Sequence, residues 1–419
     1  MIISGMSGNE IYCLGLKGFS AGELVVGNSV QSLGLGGAFG SWGSSLAGGE
    51  VTQITELISE GRHAAIRRME EEARRHGAIG VAAVSSNLGT LANYTEFLAQ
   101  GTAVHSQVSR SFFSTAASGI ETYCHLDAGY EPVRFVMGNI AYALGIGRGL
   151  TGSLRQLAKG EVKEFSQMYN RIRHLALDRI KLEAHQLGAN AVVDIATEIL
   201  PFGPGTIEIL MTGTASRRAN LPPCASNMSA ADHVVTSELS GEELWNLAKL
   251  GFVPVRLVMA TSVYSLGVAA GIGAMLKSMS RGEIPEVTKL VYEARENCIA
   301  LLREEAIRSG GERVIGNRLM IRELSPGLIE VVAIGTAVKR APGFEPETPQ
   351  LIPQAVITEN RALSMSRDLP ALPNFSPTSG AAQFQPSLGS AGGCLTGIVL
   401  VAIFFVVPMV IGFIALLKK

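Results

Sequence analysis

Six charged residues occupy two recurring places in this chain. Arg62, Arg173 and Arg295 share one register position, and Glu96, Glu208 and Glu330 share another. A guanidinium can donate two parallel hydrogen bonds to a carboxylate, and the pair matters most where water is excluded. The spacing therefore predicts an Arg–Glu contact at an interface between structural units, fixing their register. Solvated charge on a helix flank and an outward strand position is the alternative reading.

Metal and catalytic chemistry find less in the sequence. A durable metal site needs three or four His, Cys or carboxylate side chains converging on one point. The histidines are His63, His76, His105, His125, His174, His185 and His233; the cysteines are Cys13, Cys124, Cys224, Cys298 and Cys394. Only His63 and His174 are equivalent by position, with Glu296 in the third place. Cys13 and Cys124 are equivalent too, with Asn246 third. No CxxC pair and no HExxH occurs, so no metal ligands are assigned. A metal ion stays possible but unsupported by ligand spacing, and no other cofactor is expected. Neither GxSxG nor a Cys with a spacing-matched His is present, so no catalytic residue is assigned. Gly34–Gly37 and Gly145–Gly149 fit tight turns better than a phosphate cradle, because neither completes a nucleotide-binding motif. The formal net charge of −1 offers no field for nucleic acid.

The elements that must position these residues repeat. Landmark glycines recur at a spacing of 111 from the first copy to the second (Gly34 to Gly145, Gly49 to Gly160). The spacing is 122 from the second to the third (Gly145 to Gly267, Gly160 to Gly282). Further sets are Gly77, Gly188 and Gly310, and the Gly-Thr-Ala signatures at Gly101, Gly213 and Gly335. Such self-similarity marks one structural unit used three times. Each copy carries an apolar stripe at helical spacing: Ile54, Ile58, Ala65 and Met69; Phe165, Tyr169, Ala176 and Ile180; Val287, Val291, Cys298 and Leu302. Gly77, Gly188 and Gly310 end these helices. β-forming runs precede each helix, and two more follow it closely enough for an antiparallel hairpin. The expected fold class is α+β: three tandem β-α-β-β modules, each one helix on a small, mostly antiparallel sheet.

These residues resemble the YbjQ-like family (UPF0145), labelled as binding heavy metals. Copy two matches best, with Gly160-Glu161, Phe165, Arg173, Ala176, Gly188-Ala189-Asn190-Ala191-Val192, Glu208 and Gly213-Thr214-Ala215. Copy one keeps Gly48-Gly49-Glu50, Arg62, Ala65, Glu96 and Gly101 to Val104; copy three keeps Gly282-Glu283, Arg295, Glu330 and Gly335 to Val338. The resemblance implies a dodecin-like module and homo-oligomeric rings. The family label names no ligand set that recurs here.

The C-terminal fifth differs in composition. The expected organisation is repeats at 1–106, 117–217 and 236–340, a disordered Pro/Ser-rich linker at 341–393, and a transmembrane helix at 394–417. Leu395–Leu417 is apolar and uncharged, and at 1.5 Å per residue about 34 Å long, enough to cross a bilayer core. With no N-terminal export signal, the expectation is a single-pass, tail-anchored protein with cytoplasmic repeats. The function expected is a membrane-tethered, non-enzymatic binding or assembly module that self-associates or binds a protein partner. A small-ligand or metal-ion binder with sites between modules is the alternative, and an enzyme of unknown type a further one.

Overall fold

The computed structural model describes residues 2–32, 49–91, 94–108, 110–143, 160–202, 206–221, 233–265, 283–325 and 328–355. The first module contains α1 (Gly8–Leu16), β1 (Ser20–Gln31), β2 (Gly49–Glu50), α2 (Thr52–Arg75), β3 (Gly80–Leu91) and β4 (Tyr94–His105). The second contains β5 (Phe113–Ser114), α3 (Gly119–Asp127), β6 (Glu131–Ala143), β7 (Gly160–Glu161), α4 (Lys163–Gln186), β8 (Ala191–Pro201) and β9 (Thr206–Arg217). The third contains β10 (Val235–Thr236), α5 (Gly241–Lys249), β11 (Phe252–Ser265), α6 (Pro285–Arg308), β12 (Arg313–Ser325) and β13 (Leu328–Arg340). The repeated β-α-β-β plan is present three times.

In each module the last two long strands form the hairpin, and its second strand also pairs antiparallel with the strand before the helix. The long helix covers one face of these three strands. Gly77, Gly188 and Gly310 adopt φ of +73°, +69° and +81°, the left-handed turn that lets the chain leave the helix. The helices lie very close to their strands. A Cβ on Gly27 would sit 2.0 Å from Ala65 O, and one on Gly138 2.1 Å from Ala176 O.

The Gly-Thr-Ala signature has a steric origin. The neighbouring hairpin strand bulges opposite it, between Ala82 and Ser85, Val193 and Ala196, and Ile315 and Arg318. Each bulge turns on a residue with positive φ, namely Ala83, Asp194 and Gly316. The bulge pushes a valine toward the signature glycine, so a Cβ at Gly101, Gly213 or Gly335 would meet Val81, Val192 or Val314 within 3.0 Å. The following threonine is buried each time. Thr214 Oγ1 accepts from Ala116 N at 3.0 Å, and Thr336 Oγ1 from Glu238 N at 3.2 Å, which ties down the segment leading into each module.

Two features lay outside the sequence reading. Each module opens with a nine-residue helix: α1, α3 and α5. All three carry a full capping box, Ser7 with Glu10, Ser118 with Glu121, and Ser240 with Glu243. The second concerns the stretch from residue 341, expected as unstructured linker. Residues 341–355 instead pack on the body: Ala341 and Ala355 are buried, and Leu351 and Ile352 join the cluster of Cys13, Tyr123 and Trp245. Arg218 donates to Phe344 O at 2.8 Å, and Thr348 Oγ1 to Asp127 at 2.6 Å. A few apolar side chains suffice here because α1 and α3 supply the surface to bury them on. The remainder of the linker, 356–393, and the segment 394–417 lie outside the described residues. Among the described residues, no helix is long and apolar enough to cross a membrane.

Replacing Gly138 by Val is expected to lower stability by about 3 kcal/mol, at the upper end for overpacking, because the obstruction is helix backbone. Chemical denaturation of the variant against the parent chain measures this.

Candidate functional site: the junctions between modules

The long helix of one module does not end its packing on its own sheet. Its other flank lies on the sheet of the next module, and the same contacts recur at both junctions. Each junction also exchanges strands. β2 of the first module pairs with β6 of the second, and β7 of the second with β11 of the third. In return, β5 pairs parallel with β3, and β10 with β8. No sheet in the body belongs to one module alone.

Arg62 and Glu208, on α2 and β9, meet across the first junction. Nε and Nη2 of Arg62 donate to the two carboxylate oxygens of Glu208 at 3.1 and 2.8 Å, while Nη1 donates to Ser86 O and Oγ at 3.0 and 3.1 Å. Both side chains are wholly buried. At the second junction, Arg173 Nη2 donates to Glu330 at 2.8 Å and Nη1 to Thr261 Oγ1 at 2.6 Å. Arg322 donates to the other oxygen of Glu330. Burial pushes the Glu330 carboxyl up, but Arg173 and Arg322 more than offset this and hold it below the ordinary carboxylate value. The remaining two members of the set are not brought together: Arg295 is exposed on α6 and Glu96 half-buried on β4.

Around each ion pair lies a ring of matched polar contacts that the sequence reading did not assign. Thr55 Oγ1 accepts from Ala141 N at 2.9 Å, and its counterpart Ser166 Oγ from Val263 N at 2.9 Å. His63 Nδ1 lies 2.8 Å from Ser59 O and Nε2 3.2 Å from Glu183. His174 Nδ1 lies 2.7 Å from Asn170 O and Nε2 2.8 Å from Glu305. A carbonyl and a carboxylate can only accept, so both imidazoles are placed as two-proton donors. For His63 the Glu183 contact raises the pKa above the ordinary 6.5. For His174 burial opposes the charge, and the Glu305 contact prevails to raise it. The other carboxylate oxygens of Glu183 and Glu305 accept from Met137 N and Met259 N, each at 3.0 Å. Arg179 reaches back to Glu50 at 2.6 Å. A legible signal existed for the histidines, since His63 and His174 each follow the paired arginine directly.

The turn glycines have simpler roles. Gly49 and Gly160, with φ of +141° and +124°, begin the two-residue exchanged strands; Gly282 lies outside the described residues. Metal ligation does not suit the junction histidines or the described thiols. Among the described residues, no three His, Cys, Asp or Glu side chains converge. The imidazoles of His63 and His174 have both nitrogens engaged, Nδ1 by a carbonyl of their own helix and Nε2 by a carboxylate of the next module. Burial pushes the thiols of Cys13 and Cys298 up to about 11 and about 12, and that of Cys124 up as well, away from the thiolate that metal binding or nucleophilic attack needs.

Two outcomes follow from this geometry. Replacing Glu208 by Leu alone strands a buried guanidinium and is expected to cost about 3–5 kcal/mol; changing Arg62 to Met as well should recover most of that loss. A double-mutant cycle by denaturation reads both. The raised histidine pKa values contribute stability that is present below about pH 6.5 and is lost as pH rises through the folded-state values. Thermal melts from pH 6 upward should show that loss, and His63→Gln with His174→Gln should flatten it.

Comparison with known proteins agrees with the repeat. A family model described as "Putative heavy-metal-binding" matches residues 16–107, 128–218 and 253–341. An encapsulin nanocompartment protein of Mycobacterium tuberculosis is 30% identical over 252 residues, covering 59% of this chain and 93% of that one. A UPF0145 protein of Methanoregula boonei is 42% identical over 81 residues (19% of this chain, 68% of that one). One from Helicobacter hepaticus is 34% identical over 91 residues (22% and 88%). No solved structure matches. Three matched segments, each with the Arg, Glu and Gly-Thr-Ala positions in equivalent places, make this chain a member of the YbjQ-like, UPF0145 family with three tandem copies of its module.

Proposed function

We propose that the chain is a membrane-tethered, non-enzymatic assembly or binding module whose working surface is the junction between YbjQ-like units. One observation carries this reading: both junctions bury a repeated Arg–Glu pair inside the same exchange of strands. Arg62 with Glu208 and Arg173 with Glu330 hold neighbouring units together, which is a structural use of these charges. The name of the mycobacterial relative, an encapsulin nanocompartment protein, supports an assembly role and suggests a compartment shell as the kind of partner. Leu395–Leu417 would hold the repeats at a membrane with the body in the cytoplasm, raising its local concentration there.

A second reading, a small-ligand binder, draws on matching clefts at the two junctions. One, of about 290 Å³, is lined by His63, Arg67, Arg134 and Glu183. The other, of about 450 Å³, is lined by His174, Arg256, Glu305 and Arg308. Their open, charged walls suit a small anion better than a metal ion.

The full chain, expressed in cells and extracted with mild detergent, decides between these readings. Assembly predicts a membrane-fraction protein resistant to alkaline wash, with masses above the monomer that rise with concentration and no stoichiometric metal. A strictly monomeric protein that binds inorganic phosphate or sulfate stoichiometrically would overturn it in favour of the second reading, and a monomer carrying one or more metal ions per chain would overturn both.

A further inference from the structure

The second module departs from the other two in the interior beneath its short helix. In the first module Leu14 and Phe19 share one buried apolar cluster with Val104, and in the third Leu247 and Phe252 share one with Val338. The same three positions in the second module hold His125, Tyr130 and Ser216, which are 2%, 0% and 1% exposed. A fourth position widens the difference. Arg340 of the third module lies over Phe252 from an exposed site, where water solvates its charge. Its counterpart Arg218, just past β9, is only 7% exposed. The Arg218 guanidinium lies between the rings of Tyr130 and Phe344, 4.7 and 4.6 Å from their centres.

Three polar atoms of this interior are shielded from solvent and make no hydrogen bond within the described residues: Nη1 of Arg218, the Tyr130 hydroxyl and Nε2 of His125. Nη2 of Arg218 donates to Phe344 O at 2.8 Å, and among the described residues no carboxylate pairs with this guanidinium. No carboxylate acts on the other two groups either. Burial lowers the His125 pKa to about 4, so its imidazole is neutral. Burial raises that of Tyr130, and Arg218 pulls against it. A positive charge kept from water is tolerated only beside a negative one. The other two modules show that this interior packs without the imidazole and without the hydroxyl.

We propose that Arg218 and Tyr130, with His125 beside them, form a site for one oxyanion, the carboxylate or phosphate group of a small ligand, closed over by the segment that carries Phe344. Nη1 of Arg218 and the Tyr130 hydroxyl donate to the oxyanion, and the neutral imidazole of His125 supplies a further donor through an Nε2–H tautomer. The two flanking rings hold the guanidinium in its plane. Asn190 fixes the backbone beneath it, donating to Arg218 O at 2.7 Å and accepting from Arg218 N at 2.9 Å. The site shares no lining residue with the two junction clefts and does not depend on the assembly reading. Phe344 both stacks on Arg218 and lends it a carbonyl, so an anion that orders the guanidinium also orders residues 341–355.

The test uses the full chain in mild detergent, dialysed into Tris–chloride free of oxyanions. Calorimetric titration with inorganic phosphate in one arm and acetate in the other should show one saturable site per chain in at least one arm, and the arm that saturates separates a phosphate from a carboxylate ligand. Saturation should raise the thermal midpoint and slow amide exchange in residues 341–355. Tyr130→Phe combined with His125→Leu installs the side chains that the first module already carries. It should leave the anion-free midpoint no lower, since it deletes only unpartnered polar atoms, and should weaken binding about tenfold or more. Arg218→Met should abolish binding and the protection of 341–355, whereas Arg340→Gln should change neither. Absence of saturable binding in both arms would overturn the proposal. Binding that persists undiminished in the Arg218 and Tyr130/His125 variants lies in the junction clefts instead and would overturn this site as well.

Discussion

A guanidinium buried without a carboxylate is among the least tolerable things a protein interior can hold, and the body of this chain is organised around avoiding it. Arg62 and Arg173 are carried by helices whose own sheets do not supply the partner acid. The acid comes from the last strand of the following module. Neither residue can therefore be satisfied until the neighbouring unit is in place and in register. The surrounding contacts share this dependence: each module lends a two-residue strand to the next and takes one back. A module cut from its neighbours would expose strand edges as well as an unpaired charge. Cooperative folding of the whole repeat array follows from that exchange, in contrast to repeat proteins whose units merely stack.

The short helices have their own organising acid. Asp127 at the end of α3 accepts from Lys17 of the first module at 2.7 Å and from Trp245 Nε1 of the third at 2.7 Å. It also accepts from Thr348. Burial pushes its carboxyl up, and the donors from Lys17, Thr348 and Trp245 outweigh that to hold it low. The short helices stack there, Glu10 of α1 reaching the amide of Gly119 at the start of α3. The Arg–Glu pairs thus link successive modules pairwise, and Asp127 collects groups from all three on one carboxylate. The segment past the third repeat is drawn in by the same acid, which is why it packs despite its loop-like composition.

Much of this was legible in the residues. The glycines Gly49, Gly160 and Gly282 and the arginines Arg62, Arg173 and Arg295 recur with the same two offsets, which required one fold used three times, because a chain repeats its landmarks only where it repeats their surroundings. Apolar periodicity placed the three long helices, and the recurring Gly-Thr-Ala placed the final strands. The short helices were legible too, through Ser7-Gly-Asn-Glu10, Ser118-Gly-Ile-Glu121 and Ser240-Gly-Glu-Glu243. They escaped because nine residues carry too weak a periodic signal and only the cap identifies them.

What the sequence determined by itself is the unit: its length, its helix and strands, its turns, and which charged positions recur. What only the tertiary structure decided is the pairing between units. Recurrence pointed to an Arg–Glu contact between modules, but spacing says only that an arginine and a glutamate each occur once per module, not which neighbour supplies the acid. The structure sends Arg62 to Glu208 and Arg173 to Glu330, one step forward each time. The physical reason is that a helix has two flanks: the apolar stripe commits one to its own sheet, and the other flank is free to choose a partner by shape and charge. Periodicity registers the first flank. The second is visible only when the neighbouring sheet arrives.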